Sequence, residues 1–288
     1  MRVRAPAKIN PYLTVGPRRP NGLHEIVSVM QAVSLFDAVT LEAADGFSLS
    51  VAPPDAAPGG DDNLVMRAAR AFAALQGASG GASIGLEKRI PVAAGLAGGS
   101  ADAAATLVGL NQLWRAGVSR KALERVAARL GSDVPFCVRG GTAAVWGTGE
   151  QQSSLPVRAP VWWVLGISGE QLSTAAVYAA FDERGVASLG DPTEVADALA
   201  RGDLDRLAAA LRNDLQASAL SLAPSIGSGG GSLMDAGALA ALVSGSGPTW
   251  IGLARDEQHA QDVATRASAA FTRVEVVSSL THGPRVEV

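Results

Sequence analysis

Cysteine occurs once in the 288 residues, at Cys137, which excludes an internal disulfide and a cysteine-based zinc site. Histidine occurs only at His24, His259 and His282, and no Asp/Glu/His spacing suggests a metal cage. Lysine is equally scarce, confined to Lys8, Lys88 and Lys121. The net charge is −3 and no block of like charges occurs, which argues against nucleic-acid or anionic-membrane binding through a basic surface. No apolar run approaches the roughly 20 residues that a membrane-spanning helix needs. The segment Met1–Pro6 has no secretory apolar character. No internal repeat is visible. These absences leave a soluble protein expected in the cytoplasm, with no nucleic-acid or membrane partner, as a monomer or weak homodimer.

What is present is apolar and small. Hydrophobic residues reach 48% against 18% charged, which excludes a disordered chain. The length suffices for a buried core in one large domain or two smaller ones. Any anion must be bound locally, because the surface as a whole is acidic.

Alternation and β-branched content predict strands at Arg2–Ile9, Tyr12–Val15, His24–Ala32 and Ala38–Glu42. A proline- and glycine-bearing stretch, 52–62, precedes a helix from about Leu64 to Leu75. Strands are expected at Ser83–Glu87, Val134–Val138, Thr142–Trp146, Val161–Ile167, Leu239–Val243, Trp250–Ala254 and Val274–Ser278. Helices are expected at Ser100–Arg115, Ser119–Leu130, Thr174–Phe181, Pro192–Leu199, Leu204–Gln216 and Gln258–Phe271. Ser119 reads as an N-cap, with Gly131 past the other end of its helix. Polar and proline-bearing residues near 151–160 mark a boundary between halves 1–156 and 157–288. The elements mix without a β-α-β rhythm, which predicts α+β rather than a doubly wound sheet. Gly227–Ser232 has the composition of a flexible linker and predicts disorder or a broken helix.

The most informative stretch is Pro91-Val92-Ala93-Ala94-Gly95-Leu96-Ala97-Gly98-Gly99-Ser100-Ala101. Gly95, Gly98 and Gly99 permit positive φ and close approach of a ligand, and Ser100 is a good N-cap for the Ala-rich helix that follows. A glycine loop entering a helix offers free N–H groups and a positive dipole end, which is an anion site. It is not a Walker A loop, because no lysine follows the glycines, and it does not match the dinucleotide fingerprint. A tight turn in an Ala/Gly-rich chain is the plainer reading. Lys8, in the apolar run Ala5–Asn10, needs an anion or carboxylate nearby if it is buried, or reaches water from a strand edge. Asp133, between a helix and an apolar run, either caps a turn or addresses a hydroxyl. Cys137 reads as a buried inert thiol.

Taken together the motifs resemble the galactokinase, homoserine kinase, mevalonate kinase and phosphomevalonate kinase (GHMP) superfamily. Pro6–Asn10, Pro91–Ala105 and Ser244–Thr249 carry that resemblance. Asn21–Glu25 and Leu130–Phe136 narrow it to the branch that phosphorylates the 2-hydroxyl of 4-diphosphocytidyl-2-C-methyl-D-erythritol in the non-mevalonate isoprenoid pathway. The resemblance implies a two-domain α+β kinase with its cleft between the domains, using ATP and Mg²⁺. It implies Lys8 and Asp133 as the catalytic pair. Pro91, Ala94, Gly95, Leu96, Ala97, Gly98, Gly99, Ser100 and Ala101 would surround the phosphates, with Ser100 touching the metal. Asn63, Leu64 and Lys88 would border the adenine. Asn10, Leu23, His24, Asp133, Thr174 and Tyr178 would meet the substrate, the His24 backbone and ring reading the cytosine edge and Tyr178 stacking on one face of the base. Leu23 departs from the pattern, which has an aromatic residue there; one stacking face is lost.

Overall fold

A computed structural model describes residues 1–54, 56–77 and 80–287; of the stretch 52–62, position 55 lies outside them. The chain begins with two long strands, β1 (Arg2–Arg18) and β2 (His24–Ala44), paired antiparallel along most of their length. Each was expected as two shorter strands. The register shifts at Pro6/Ala7 and again between Ile9 and Tyr12, so β1 runs through Pro6 and Pro11 as a bulged strand. Proline cannot donate to a ladder, and a bulge absorbs the missing bond while re-aiming the side chains beside it. Lys8 lies between those two bulges and Asn10 within the second.

β3 (Ser48–Ala52), α1 (Leu64–Gln76) and β4 (Gly81–Glu87) follow. Asn63 caps α1 with its side chain, and Gly77 ends it in the left-handed conformation. α2 (Gly98–Leu113) is buried over most of its surface against β1, β2, α1 and a later helix. Its small residues allow this: a Cβ at Gly109 would run into Leu41 and Val3 of the sheet. α3 (Arg120–Ala127) is capped by Ser119 as expected, but ends before Leu130.

The run Val134–Val138 is a helix, α4 (Val134–Arg139), not the expected strand. A five-residue apolar run carries no decisive period, and Pro135 in the first turn favours a helix start. β5 (Thr142–Gly147) and β6 (Gln151–Ser154) complete the first half. β7 (Trp162–Ile167), α5 (Thr174–Glu183), α6 (Thr193–Arg201) and α7 (Leu204–Ala210) open the second. The helix expected over 204–216 is broken after Ala210. Arg212–Asn213 form a short strand, β8, parallel to Tyr12–Leu13 of β1, and α8 (Gln216–Leu222) starts anew. Asn213 donates to the carbonyls of Val243 at 2.7 Å and Gly245 at 2.8 Å, so tertiary pairing overrides the helical pattern.

Gly229–Asp235 form a regular helix, α9, after a 3-10 turn at Pro224–Ile226; the expectation of linker-like disorder is wrong. The glycines are there for packing. A Cβ on Gly229 would lie 2.5 Å from Trp250 Cδ1, and one on Gly230 2.6 Å from Trp250 Cζ3, while Gly231 faces open space. Trp250 closes the contact by donating from Nε1 to the Ile226 carbonyl at 2.8 Å. Gly229→Ala is therefore expected to destabilise the fold by about 1–3 kcal/mol through overpacking. Gly231→Ala should stabilise it by about 0.5–1 kcal/mol through helix propensity. Urea denaturation of the two variants tests this, and two shifts of the same sign would refute it.

β9 (Ala240–Val243), β10 (Trp250–Ala254), α10 (Glu257–Ala267), β11 (Arg273–Ser278) and β12 (Arg285–Val286) finish the chain. Two sheets result. The first follows β12-β1-β2-β4-β3, with β5 and β6 continuing from β2 and β8 beside β1; the second is β11-β7-β10-β9. The second half thus returns two strands to β1. Trp163 of the second sheet, fully buried, donates to Gln31 of the first at 2.8 Å.

Candidate active site

Between the two halves lies a cavity of about 860 Å³, walled by β1, β2, the glycine loop, α5 and the Gly245–Ser246 turn. Lys8 reaches it from β1. Its Nζ donates to Asn10 Oδ1 at 2.7 Å and to the Gly95 carbonyl at 3.1 Å, and stands 3.7 Å from Asp133 Oδ2. Asn10 is held in turn: its Nδ2 donates to Ser28 Oγ at 2.9 Å, and Ser28 donates to the Tyr12 carbonyl at 2.7 Å. This chain leaves the Asn10 carbonyl oxygen facing the ammonium, so the buried Nζ is surrounded by acceptors. The strand-edge reading of Lys8 is excluded, because the residue is only 5% exposed.

Asp133 occupies the N-cap position of α4, yet its side chain makes no capping bond. The turn-capping reading therefore fails. The carboxylate is partly open to the cavity and available to a hydroxyl. Neighbouring groups feel its charge. Burial first, and Asp133 second, push the Tyr178 hydroxyl upward, so it stays protonated. Burial and then Asp133 also raise the Cys137 thiol, which makes it inert.

The glycine loop differs in detail from expectation. Positive φ occurs at Ala93 (54°), Gly95 (76°) and Ala97 (55°), not at Gly98 or Gly99. Left-handed residues alternating along a loop turn N–H groups toward one concave side, which makes an anion nest. Gly98 is required for another reason: a Cβ there would sit 3.0 Å from Ile90 and 3.1 Å from Lys88 Nζ. α2 begins at Gly98, and its N-cap residue is Ala97, with no side-chain cap. Ser100 is therefore the third helical residue and not the cap. The first N–H groups of α2 are left for a ligand. Pro91, Ala94, Gly95, Ala97, Gly98, Gly99 and Ser100 line the cavity; Leu96 and Ala101 are buried in the core and do not.

Asn63, Leu64 and Lys88 also line the cavity, but the polar ends are engaged. Asn63 accepts from the Val65 N–H at 2.9 Å and donates to the Pro58 carbonyl at 2.6 Å. Lys88 Nζ bonds to Asp37 and, at 2.8 Å, to Asp102, all three side chains being buried. Burial lowers the Lys88 pKa, but the two carboxylates outweigh it and raise it. Burial drives Asp102 well above the carboxylate range against the pull of Lys88, with Asp37 adding to the rise. Asp37 also accepts from the backbone of Arg89 and Ile90, at 2.5 and 2.8 Å, and so fixes the strand end before the loop.

On the opposite wall, Asn10, Leu23, His24, Thr174 and Tyr178 all reach the cavity. Leu23 is 51% exposed. Thr174 Oγ1 is 3.0 Å from Ser246 Oγ. Contrary to the expectation that it reads a base edge, the His24 ring is engaged at both nitrogens: Nδ1 faces the Gly16 carbonyl at 3.0 Å and Nε2 faces Asp182 Oδ1 at 3.2 Å. Asp37, Asp102 and Asp182 were not singled out from the sequence, since their partners lie far along the chain. Ser244 belongs to a motif seen earlier; its hydroxyl donates to Gly95 O at 3.2 Å and accepts from Asn10 N at 3.3 Å.

Comparison with known proteins agrees with this geometry. Residues 63–141 match the GHMP kinases N terminal domain, and residues 195–273 the GHMP kinases C terminal domain. A 4-diphosphocytidyl-2-C-methyl-D-erythritol kinase of Mycolicibacterium gilvum is 46% identical over 99% of this chain and 92% of its own. The Streptomyces coelicolor protein of the same name is 46% identical over 94% and 93%. A crystal structure of 4-(cytidine 5'-diphospho)-2C-methyl-D-erythritol kinase superposes with a TM-score of 0.81 at 34% identity, covering 97% of this chain and 99% of that one. The chain therefore belongs to the GHMP kinases and, among them, to the 4-diphosphocytidyl-2-C-methyl-D-erythritol kinase family of small-molecule kinases.

Proposed function

We propose that the cavity transfers the γ-phosphoryl group of ATP to the 2-hydroxyl of 4-diphosphocytidyl-2-C-methyl-D-erythritol, a step of non-mevalonate isoprenoid synthesis, in the cytoplasm. The observation that carries this reading is the Lys8–Asp133 pair, 3.7 Å apart, with Lys8 tied to the Gly95 carbonyl of the glycine loop. Asp133 accepts a hydrogen bond, and then the proton, from the attacking hydroxyl. Lys8, beside that carboxylate, stabilises negative charge on the attacking oxygen or the phosphoryl group. The nest at Ala93–Ala97 and the uncapped N–H groups of α2 hold the β and γ phosphates in line. Leu64 and the Lys88 stem border the adenine.

The donor set also fits Mg²⁺ held mainly through phosphate oxygens. Among the described residues no group of three or more His, Cys, Asp or Glu forms a cage, and Ser100 stands in the first turn of α2 on the cavity wall. Ser100 would hold the ion, which when bound offsets phosphate charge.

The base-binding subsite lies between Leu23 and Tyr178. The test is ATP turnover against a panel of alcohols, including homoserine and mevalonate. The diphosphocytidyl polyol should be phosphorylated far faster than the others, and turnover of homoserine or mevalonate alone would sink the reading. In the same assay Leu23→Tyr should tighten the substrate roughly 2- to 10-fold by restoring an aromatic face. An unchanged KM would show that position 23 does not meet the base.

A further inference from the structure

His24 is the first residue of β2, and its ring is packed against α5 of the other half. Its centroid lies 5.1 Å from that of Tyr178 and 6.2 Å from that of Phe181, the latter edge-on. Both ring nitrogens face acceptors. Gly16 O, 3.0 Å from Nδ1, can only accept, so Nδ1 carries a proton. Asp182 Oδ1 lies 3.2 Å from Nε2. A neutral ring with its proton on Nδ1 would turn the Nε2 lone pair on a carboxylate. Only the imidazolium donates in both directions. The other ionisable groups around the ring are Tyr178 on α5 and Arg18, its cross-strand neighbour on β1, whose guanidinium is held by the Gly22 carbonyl at 3.0 Å. The adjacent Glu25 is paired with Arg19 at 3.1 Å.

We infer that Asp182 is a positioning residue for substrate selection: it holds His24 as an imidazolium, and this charged contact fixes α5, with Tyr178, at its distance from Leu23. The inference rests on the base-binding role proposed for Leu23 and Tyr178. The pair joins the β1–β2 turn, which carries Leu23, to the helix that carries Tyr178 and Thr174. It touches neither the Lys8–Asp133 pair nor the glycine loop. Its loss should therefore widen the base slot and leave phosphoryl chemistry intact.

The test uses the full chain labelled with ¹⁵N-histidine, with His24 signals assigned by their absence in His24→Gln. At pH 7 the wild type should show both His24 nitrogens protonated. In Asp182→Asn the amide can donate to Nε2, which should then appear unprotonated. Asp182→Asn and Asp182→Ala should raise KM for the diphosphocytidyl substrate about fivefold to tenfold, with kcat and the KM for ATP within twofold of wild type. An unprotonated Nε2 in the wild type, or identical ring signals in wild type and Asp182→Asn, overturns the inference whatever the kinetics. Unchanged KM in both variants overturns it as well. If the wild type does not phosphorylate the diphosphocytidyl polyol, the proposed function falls, while the ring signals still decide whether the pair is charged.

Discussion

Asp133→Ala is expected to lower kcat on the order of 10³-fold, within the range by which a positioned general base contributes. That factor corresponds to about 4 kcal/mol of barrier. ATP affinity should stay nearly unchanged, because the loop and helix N–H groups that would hold the phosphates do not depend on Asp133. Two observations support so large an effect. The carboxylate caps nothing, so no structural bond is lost with it. Among the charged pairs at the cavity, it is the anion facing Lys8. Asp133→Asn separates orientation from proton acceptance, since an amide can accept a hydrogen bond but cannot take the proton at neutral pH. If orientation suffices, Asn should recover most of the rate lost in Ala. Turnover of the alanine variant within tenfold of wild type would remove Asp133 from the mechanism.

Lys88→Met should have the largest effect on stability. The substitution preserves length and leaves Asp37 and Asp102 side by side in the interior without a cation. Removing one partner of a buried ionic cluster typically costs about 3–5 kcal/mol. The variant should show this as a lower urea midpoint. Its pH dependence has a definite sign. Asp102 is already held well above its ordinary range by burial, and loss of Lys88 removes the opposing pull. A carboxyl whose folded pKa is raised binds protons more tightly in the native state. Its favourable contribution is complete below the ordinary carboxylate pKa and is lost as pH rises through the folded value. Lys88→Met should therefore lose more stability at pH 8 than at pH 5. An equal loss at both would show that the carboxyls are not ionised together. Lys88 Nζ also lies 3.1 Å from where a Cβ on Gly98 would stand, so the variant should disturb the start of α2.

Much of this architecture can be read directly from the chain, and the failures have specific causes. Leu64, Ala68, Phe72 and Leu75 repeat with helical spacing, and Asn63 and Ser119 cap their helices with their own side chains; such local signals survive into the fold. The glycine loop is equally local. Elements decided by distant partners are not. Val134–Val138 has no period of its own, and β8 exists because Asn213 bonds to carbonyls some thirty residues away. Gly229–Gly231 looks like a linker because a glycine needed for contact with an indole is indistinguishable in sequence from one needed for mobility. The proposed catalytic pair is recoverable only through the resemblance. Neither Lys8 nor Asp133 declares its partner, 125 positions away by the numbering. The two positive-φ alanines are the least legible part, since alanine carries no signal for that conformation.

The pairing of Val3 with Val286 and of Leu13 with Asn213 carries a consequence for how the chain is made. β1 leaves a ribosome well ahead of β8 and β12, the strands that later border it. At roughly 5–20 residues per second, the strand that borders it at Val286 follows tens of seconds later. Until then β1 can pair with β2 but presents an unsatisfied edge of alanine, valine and isoleucine. Such an edge is a template for other chains. Contacts this distant in sequence also slow the final search. Synthesis and refolding should therefore both pass through a period in which the first half is collapsed but open along β1. The yield of active protein should depend on chaperone supply and dilution more than on the stability of the finished fold.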